Sequence, residues 1–176
     1  MAVTRPVRHV VLVGLMGSGK TTVGRTLAAR LGRPFVDNDV ALQERTGHSA
    51  RQIADSEGAD ALHRCEAEAL VAALGKPEPA VVAAAAAAPF EPVAAAALRS
   101  HDVVYLRASP AVLAARLALV AETDDHRPFV DRDAGVVLDR QFEQRDAGYR
   151  ALATLTVDAE DTSDAIVDEI SGVVGR

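Results

Sequence analysis

The chain contains no tryptophan, and aromatic residues make up 3% of its 176 positions. The base-stacking platforms that hold single-stranded nucleic acid are therefore missing. Cysteine occurs once, at Cys65, which excludes an internal disulfide framework and a multi-cysteine zinc cluster. Positive charge is in deficit: 19 lysine and arginine side chains face 25 acidic ones, giving a net charge of −6 and a sequence pI near 5.3. Such a balance disfavours nucleic acid and anionic membrane as main partners. Long hydrophobic runs are also missing. The most apolar stretch, Val81 to Leu98, is interrupted by Pro89, Glu91 and Pro92, and the run from Val10 to Gly14 is too short for a secretory signal. No membrane partner and a cytoplasmic location are expected. What remains is 49% hydrophobic and 25% charged, a composition suited to one globular domain over residues 1–176.

His9 to Val13 is a short β-branched run that stops at Gly14, as a buried parallel strand does. Lys20 to Leu31 then places Val23, Leu27, Ala28 and Leu31 on one helical face, closed by Gly32. Phe35-Val36-Asp37 reads as a second strand. Helices are expected over Val40 to Arg45, from an N-cap at Ser49 to Asp55, and over Gly58 to Leu74. Further strands are expected from Val81, at Val103 to Leu106 and at Thr154 to Val157. Helical patterns lie near Val93 to Ser100, Pro110 to Val120, Val136 to Tyr149 and Asp164 to Val174. Strands alternating with helices at this spacing imply an α/β fold, a five-stranded parallel sheet covered on both faces.

Gly14-Leu15-Met16-Gly17-Ser18-Gly19-Lys20-Thr21 matches G-x-x-x-x-G-K-[ST] at every fixed position, between a strand and a helix as that motif requires. Glycines let backbone N–H groups converge on phosphate oxygens, and a helix N-terminus adds positive potential at the same point. The motif assigns Lys20 to the β- and γ-phosphates and the Thr21 hydroxyl to Mg²⁺. Lys20 and Lys76 are the only lysines in the chain, so a lysine at this position is not background. Asp37 and Asp39, at the end of the second strand, have two readings. They form a turn with a helix cap, or they face the ligand crevice at the carboxyl ends of the strands. Strand alternation would point both to the same side.

Gly14 to Gly24, Phe35 to Asp39, Thr46-Gly47-His48-Ser49, Val103 to Leu106, Arg127-Pro128 and Arg145…Tyr149 together resemble the shikimate kinase family of small-molecule kinases, over nearly the whole chain. The resemblance implies a P-loop NTPase-type three-layer α/β/α fold, a monomer, and transfer of the ATP γ-phosphate to a hydroxyl of shikimate, a step in aromatic amino acid biosynthesis. It implies ATP and Mg²⁺ as cofactors and a small hydroxylated molecule as acceptor. ATP would be held by Gly14, Met16, Gly17, Ser18, Gly19, Lys20, Thr21 and Thr22, with Arg116 against adenine and residues 158–164 forming the adenine-side loop. Asp37 would help hold the Mg²⁺ shell with Thr21, through water, and Asp39 would accept a hydrogen bond from the hydroxyl that attacks the γ-phosphate. A lid over about 121–135 would carry Arg127 to the transferring phosphate. Arg145 would clamp the acceptor carboxylate, a bidentate task for which arginine is suited. Substrate-side helices would span about 39–74.

The acceptor side departs from the family pattern. Counting back from Val103 places Ala85, Ala86 and Ala87 on three glycine positions that approach the substrate ring. Added methyl groups, and any need for positive φ, would cost roughly 1 kcal/mol or more per strained residue. Residues 58–66 read Gly-Ala-Asp-Ala-Leu-His-Arg-Cys-Glu where the family has Gly-Glu-x-x-Phe-Arg-x-x-Glu. His63 therefore replaces a second carboxylate-binding arginine with a titratable arm, while Arg64 is turned away by about 100°. Cys65 reads as an inert thiol. The phosphate side is intact. Three readings stay open: a shikimate kinase, a kinase for another hydroxylated small molecule, or a nucleotide-binding module without transfer chemistry.

Overall fold

A computed structural model describes residues 8–120 and 133–174. Five parallel strands form one sheet in the order β2-β3-β1-β4-β5, with β1 at Val10–Val13, β2 at Phe35–Asp37, β3 at Val81–Ala83, β4 at Asp102–Arg107 and β5 at Leu155–Asp158. The central strand reads Val-Val-Leu-Val and is buried throughout, because helices cover both faces and leave no wet side for alternation to mark. In register, Val11 sits between Val82 of β3 and Val103 of β4. The helices are α1 (Lys20–Leu31), α2 (Asn38–Thr46), α3 (Ala50–Glu57), α4 (Ala59–Leu74), α5 (Pro92–Leu98), α6 (Pro110–Val120), α7 (Ala134–Leu152) and α8 (Ser163–Val174). A single 3-10 turn at Ala88–Phe90 precedes α5. The architecture is a three-layer α/β/α sandwich.

Helix α1 packs on β3 and α8, and α4 packs on α2, α3 and α5. Gly24 lets α1 lie close to β2 and β1: a Cβ there would lie 2.5 Å from Cε2 of Phe35 and 3.3 Å from Leu12. The Arg30–Asp168 ion pair ties α1 to α8 at the surface. From β1 the chain runs to one side for β2 and β3, then to the other for β4 and β5. The carboxyl end of β1 therefore lies where the winding reverses, the place at which an open α/β sheet leaves a crevice.

Local chemistry sets the boundaries. Ser49 caps α3 by accepting from Gln52 N, while the Gln52 side chain accepts from Ser49 N, a reciprocal capping box. Helix α2 begins at Asn38, two residues before the expected Val40, because Asp37 is its N-cap and accepts from Asp39 N at 3.1 Å. Strand alternation therefore does not relate Asp37 to Asp39: the first ends a strand and the second lies in a helical turn. Strand β5 begins and ends one residue later than expected, and α7 extends past both expected ends.

Candidate active site

The crevice is a cleft of about 760 Å³. The loop from β1 to α1 forms one wall. Gly14 has φ +147°, and a Cβ there would sit 2.7 Å from the Leu106 carbonyl and 2.9 Å from Ser18 Oγ; only glycine lets the loop turn this tightly. Gly19, at φ 90°, starts α1 without a side-chain cap. Lys20 Nζ donates to the Gly14 carbonyl at 2.9 Å and to the Leu15 carbonyl at 3.0 Å, so it is curled over the loop. Ser18 Oγ is buried with no partner among the described residues. A loop whose base has no room for a Cβ at Gly14, an uncapped helix start and an orphaned hydroxyl fit a phosphate group. Met16, Gly17, Ser18, Gly19, Lys20, Thr21 and Thr22 line the cleft, whereas Gly14 shapes the loop from beneath.

The Thr21 hydroxyl donates to Asp37 Oδ2 at 3.0 Å. The two expected Mg²⁺-site residues therefore meet, although they come from α1 and β2. Asp37 is also the cap of α2, so the two readings of this residue hold together. No group of three or more His, Cys, Asp or Glu side chains converges among the described residues. A hydroxyl and one carboxylate beside a phosphate cradle suit Mg²⁺, which keeps several waters and takes the rest of its ligands from phosphate.

Arg116, on α6, lines the same cleft. Its Nη2 donates to the Ala159 carbonyl at 2.7 Å and its Nη1 to the Gly17 carbonyl at 3.4 Å. It thereby bridges the phosphate loop to the loop after β5, where Ala159 and Asp161 face the cleft beside Ser163 at the start of α8. Arg127 and most of the expected lid lie outside the described residues.

The opposite wall is built by α2, α4, α7 and the segment after β3. Asp39, His63, Glu66, Arg145 and Ala83 to Ala87 all line it. Ala85 and Ala86 are half-buried, and Ala87 has φ −90°. No non-glycine residue among the described ones has positive φ, so the expected backbone strain at the three alanines is absent. Their methyl groups narrow the wall without distorting it.

His63 is half-buried on α4. Burial pulls its pKa below the ordinary imidazole value, and the Arg145 charge pulls the same way against Glu91 and Asp60. Arg64 is exposed and does not line the cleft. The Cys65 thiol is pushed up, first by burial and then by Glu68 and Glu57, which leaves it a poor nucleophile.

Two residues given no role by their types alone stand out. Glu66 is buried under the acceptor wall; desolvation and then Asp39 push its carboxyl up to about 8, against the opposing pull of Arg145 and Lys20. Its signal was a carboxylate on the apolar face of α4, between Leu62 and Leu70 at helical spacing. Tyr149 is fully buried, one turn from Arg145, and donates to the Ala86 carbonyl at 2.5 Å.

A family model for shikimate kinase matches residues 16–174. A shikimate kinase of Thiobacillus denitrificans is 39% identical over 152 residues, covering 85% of this chain and 80% of that one. The chain belongs to the shikimate kinase family. A shikimate kinase of Thermobifida fusca is 35% identical over 166 residues, covering 94% of this chain and 92% of its own. Among solved structures, shikimate kinase from Acinetobacter baumannii in complex with shikimate superposes with a TM-score of 0.86 at 27% identity, covering 96% of this chain and 93% of that one. The enzymes of this family are ATP-dependent phosphotransferases acting on an alcohol group.

Proposed function

We propose that this chain phosphorylates shikimate from ATP, with the phosphate loop and the acceptor wall holding the two substrates face to face. The observation that carries this reading is the composition of one cleft. Lys20, Thr21 and Asp37 stand at its phosphate side, and Asp39 and Arg145 stand at its acceptor side. A hydroxylated carboxylic acid suits that second set: the guanidinium takes the carboxylate in bidentate fashion, and Asp39 accepts a hydrogen bond from a hydroxyl.

The acceptor hydroxyl oxygen forms a bond to the γ-phosphorus while the bond from that phosphorus to the β,γ-bridging oxygen breaks, releasing ADP. Asp39 takes the hydroxyl proton. Transfer of this kind passes through a loose transition state, so alignment and charge neutralisation matter more than the strength of the base. Lys20 moves from the loop carbonyls to the β- and γ-phosphates, and Arg116 holds the phosphate loop against the adenine-side loop. Arg127 is assigned to the transferring phosphate from its place in the sequence. Thr21 and Asp37 would hold Mg²⁺, Asp37 through water. When bound, that ion offsets the charge gathering on the phosphate oxygens.

On the acceptor side, Arg145 is the permanent cation and His63 the titratable one. Ala85, Ala86 and Ala87 support the substrate ring through a wall that extended and helical backbone builds without strain. A coupled assay of ADP release at millimolar shikimate tests the reading. Shikimate-dependent turnover is expected. Release that stays at the ATP-alone background, while other polyols stimulate it, would transfer the activity to a different acceptor.

A further inference from the structure

Alanine has no side-chain rotamer with which to lock a loop, so the conformation of Ala84 to Ala87 depends on where its backbone groups are bonded. Ala84 N donates to the Leu12 carbonyl at 3.0 Å, extending the ladder on β1, and Phe90 N donates to the Ala87 carbonyl at 3.0 Å, opening the 3-10 turn. Between these two main-chain anchors the Ala86 carbonyl receives the Tyr149 hydroxyl at 2.5 Å. That tether crosses from α7 to the cleft wall.

The ring that carries it has little freedom. Tyr149 stacks on Tyr105 of β4 with centroids 4.9 Å apart and planes 29° apart, and it meets Phe90 at 4.9 Å and 56°. Phe90 belongs to the wall segment itself. It also lies 6.0 Å from the Arg145 guanidinium, in cation–π range. Gly148 allows that approach, because a Cβ there would sit 2.5 Å from Phe90 Cε1. Residues four apart on a helix share a face, so Arg145 and Tyr149 present a carboxylate-binding group and a wall-binding group from the same side of α7. The helix is pinned independently through Asp146, which accepts from Tyr105 at 2.9 Å and from Arg107 at 2.9 Å.

We propose that Tyr149 is a positioning residue for the acceptor: its hydroxyl fixes the peptide that follows Ala86 and, with Phe90, sets the distance between the alanine wall and the Arg145 clamp. The inference rests on the shikimate reading. In a wall of alanines the single hydroxyl does work that bulkier side chains do by packing. Losing it frees the wall without touching the phosphate side.

Tyr149→Phe keeps the ring stack and deletes the tether together with the hydroxyl's hydrogen bond to the Arg145 side chain. The expected result is a rise in KM for shikimate of about five- to tenfold, with KM for ATP within about twofold and kcat within about threefold. Tyr105→Phe deletes the bond to Asp146 instead and is expected to lower thermal stability with KM for shikimate unchanged. Equal KM increases in both variants would mean a merely structural role and overturn the proposal. A second measurement uses the unmutated sequence. The chain has two tyrosines, so 3-fluorotyrosine labelling gives two fluorine resonances, assigned with Tyr105→Phe. Saturating shikimate is expected to shift the Tyr149 resonance more than that of Tyr105; an unmoved Tyr149 resonance overturns the proposal. Wild-type enzyme without shikimate-dependent turnover removes the substrate reading and this inference with it. Wild-type turnover with an unaltered KM in Tyr149→Phe removes this inference alone.

Discussion

The Thr21 hydroxyl and Asp37 Oδ2 lie 3.0 Å apart, so the first turn of α1 is joined to the end of β2 by a hydrogen bond. Asp37 uses its other oxygen to cap α2. One carboxylate thus caps a helix with Oδ1 and reaches Thr21 at the proposed cation site with Oδ2.

Asp37→Asn separates those two duties. Asparagine caps a helix about as well as aspartate, so thermal stability is expected to change by less than about 1 kcal/mol. The negative charge is lost, and kcat/KM for ATP at fixed Mg²⁺ is expected to fall about 10- to 100-fold, with partial recovery as Mg²⁺ is raised. A Mg²⁺ titration of the coupled assay beside a thermal melt reads both. An unaltered Mg²⁺ dependence would reduce Asp37 to its capping role.

Gly14→Ala attacks the cradle from beneath. The new methyl group would meet the Leu106 carbonyl at 2.7 Å, and the backbone there has φ +147°. A destabilisation of about 1–3 kcal/mol is expected, together with at least a tenfold loss of ATP affinity by calorimetry. Gly32→Ala is the control. Its φ is +62° but nothing lies within 4 Å, so it should cost about 1 kcal/mol and leave ATP affinity intact.

The phosphate loop and the five strands were readable because each is local. A glycine pattern between strand and helix needs no distant information, and apolar runs such as Val10 to Val13 mark a buried parallel sheet by composition alone. Strand alternation does not relate Asp37 to Asp39, because the Asp37 side chain ends the strand by capping a helix. The alanine wall could not be judged from residue types either, since the family glycines suggested positive φ and the backbone at Ala87 sits at φ −90°. Tyr149 owes its place to a partner 63 positions away, the Ala86 carbonyl. A hydrogen bond of that span has no periodic trace.

His63→Arg tests the carboxylate clamp. Burial and the Arg145 charge hold the His63 pKa below its ordinary value of 6.5, so the imidazole is mostly neutral at pH 7 and, on the proposed reading, Arg145 meets an acceptor carboxylate largely alone. As pH falls through that lowered pKa, His63 gains charge, and KM for shikimate is expected to decrease. A permanent guanidinium at position 63 is expected to lower KM at pH 7 by roughly tenfold and to flatten its dependence on pH on the acid side of neutrality. Since no strain is stored at Ala85 to Ala87, replacing them with glycine should change KM by less than about threefold. Steady-state kinetics at three pH values separates the two effects. A His63→Arg profile that still follows pH would place the titrating group elsewhere.

Glu66→Gln tests the buried carboxyl beneath the same wall. Its ordinary value is 4.5, and burial, then Asp39, raises it to about 8. Between those two values the unfolded chain has released the proton while the folded chain still holds it. The folded state binds more protons there, so the contribution of Glu66 to stability falls as pH rises through this window and levels off above about 8. Glutamine has nothing to titrate. The variant is therefore expected to gain on the wild type by at least about 1 kcal/mol between pH 5 and pH 8, read from urea denaturation at both pH values. Such a gain would place a neutral acid beside Asp39 during turnover, which keeps the Arg145 charge available to the acceptor instead of spending it on a buried pair. A stability gap that stays constant with pH would mean that Glu66 is ionised throughout and paired with Arg145, and the clamp would then have to release that pair before it could take a carboxylate.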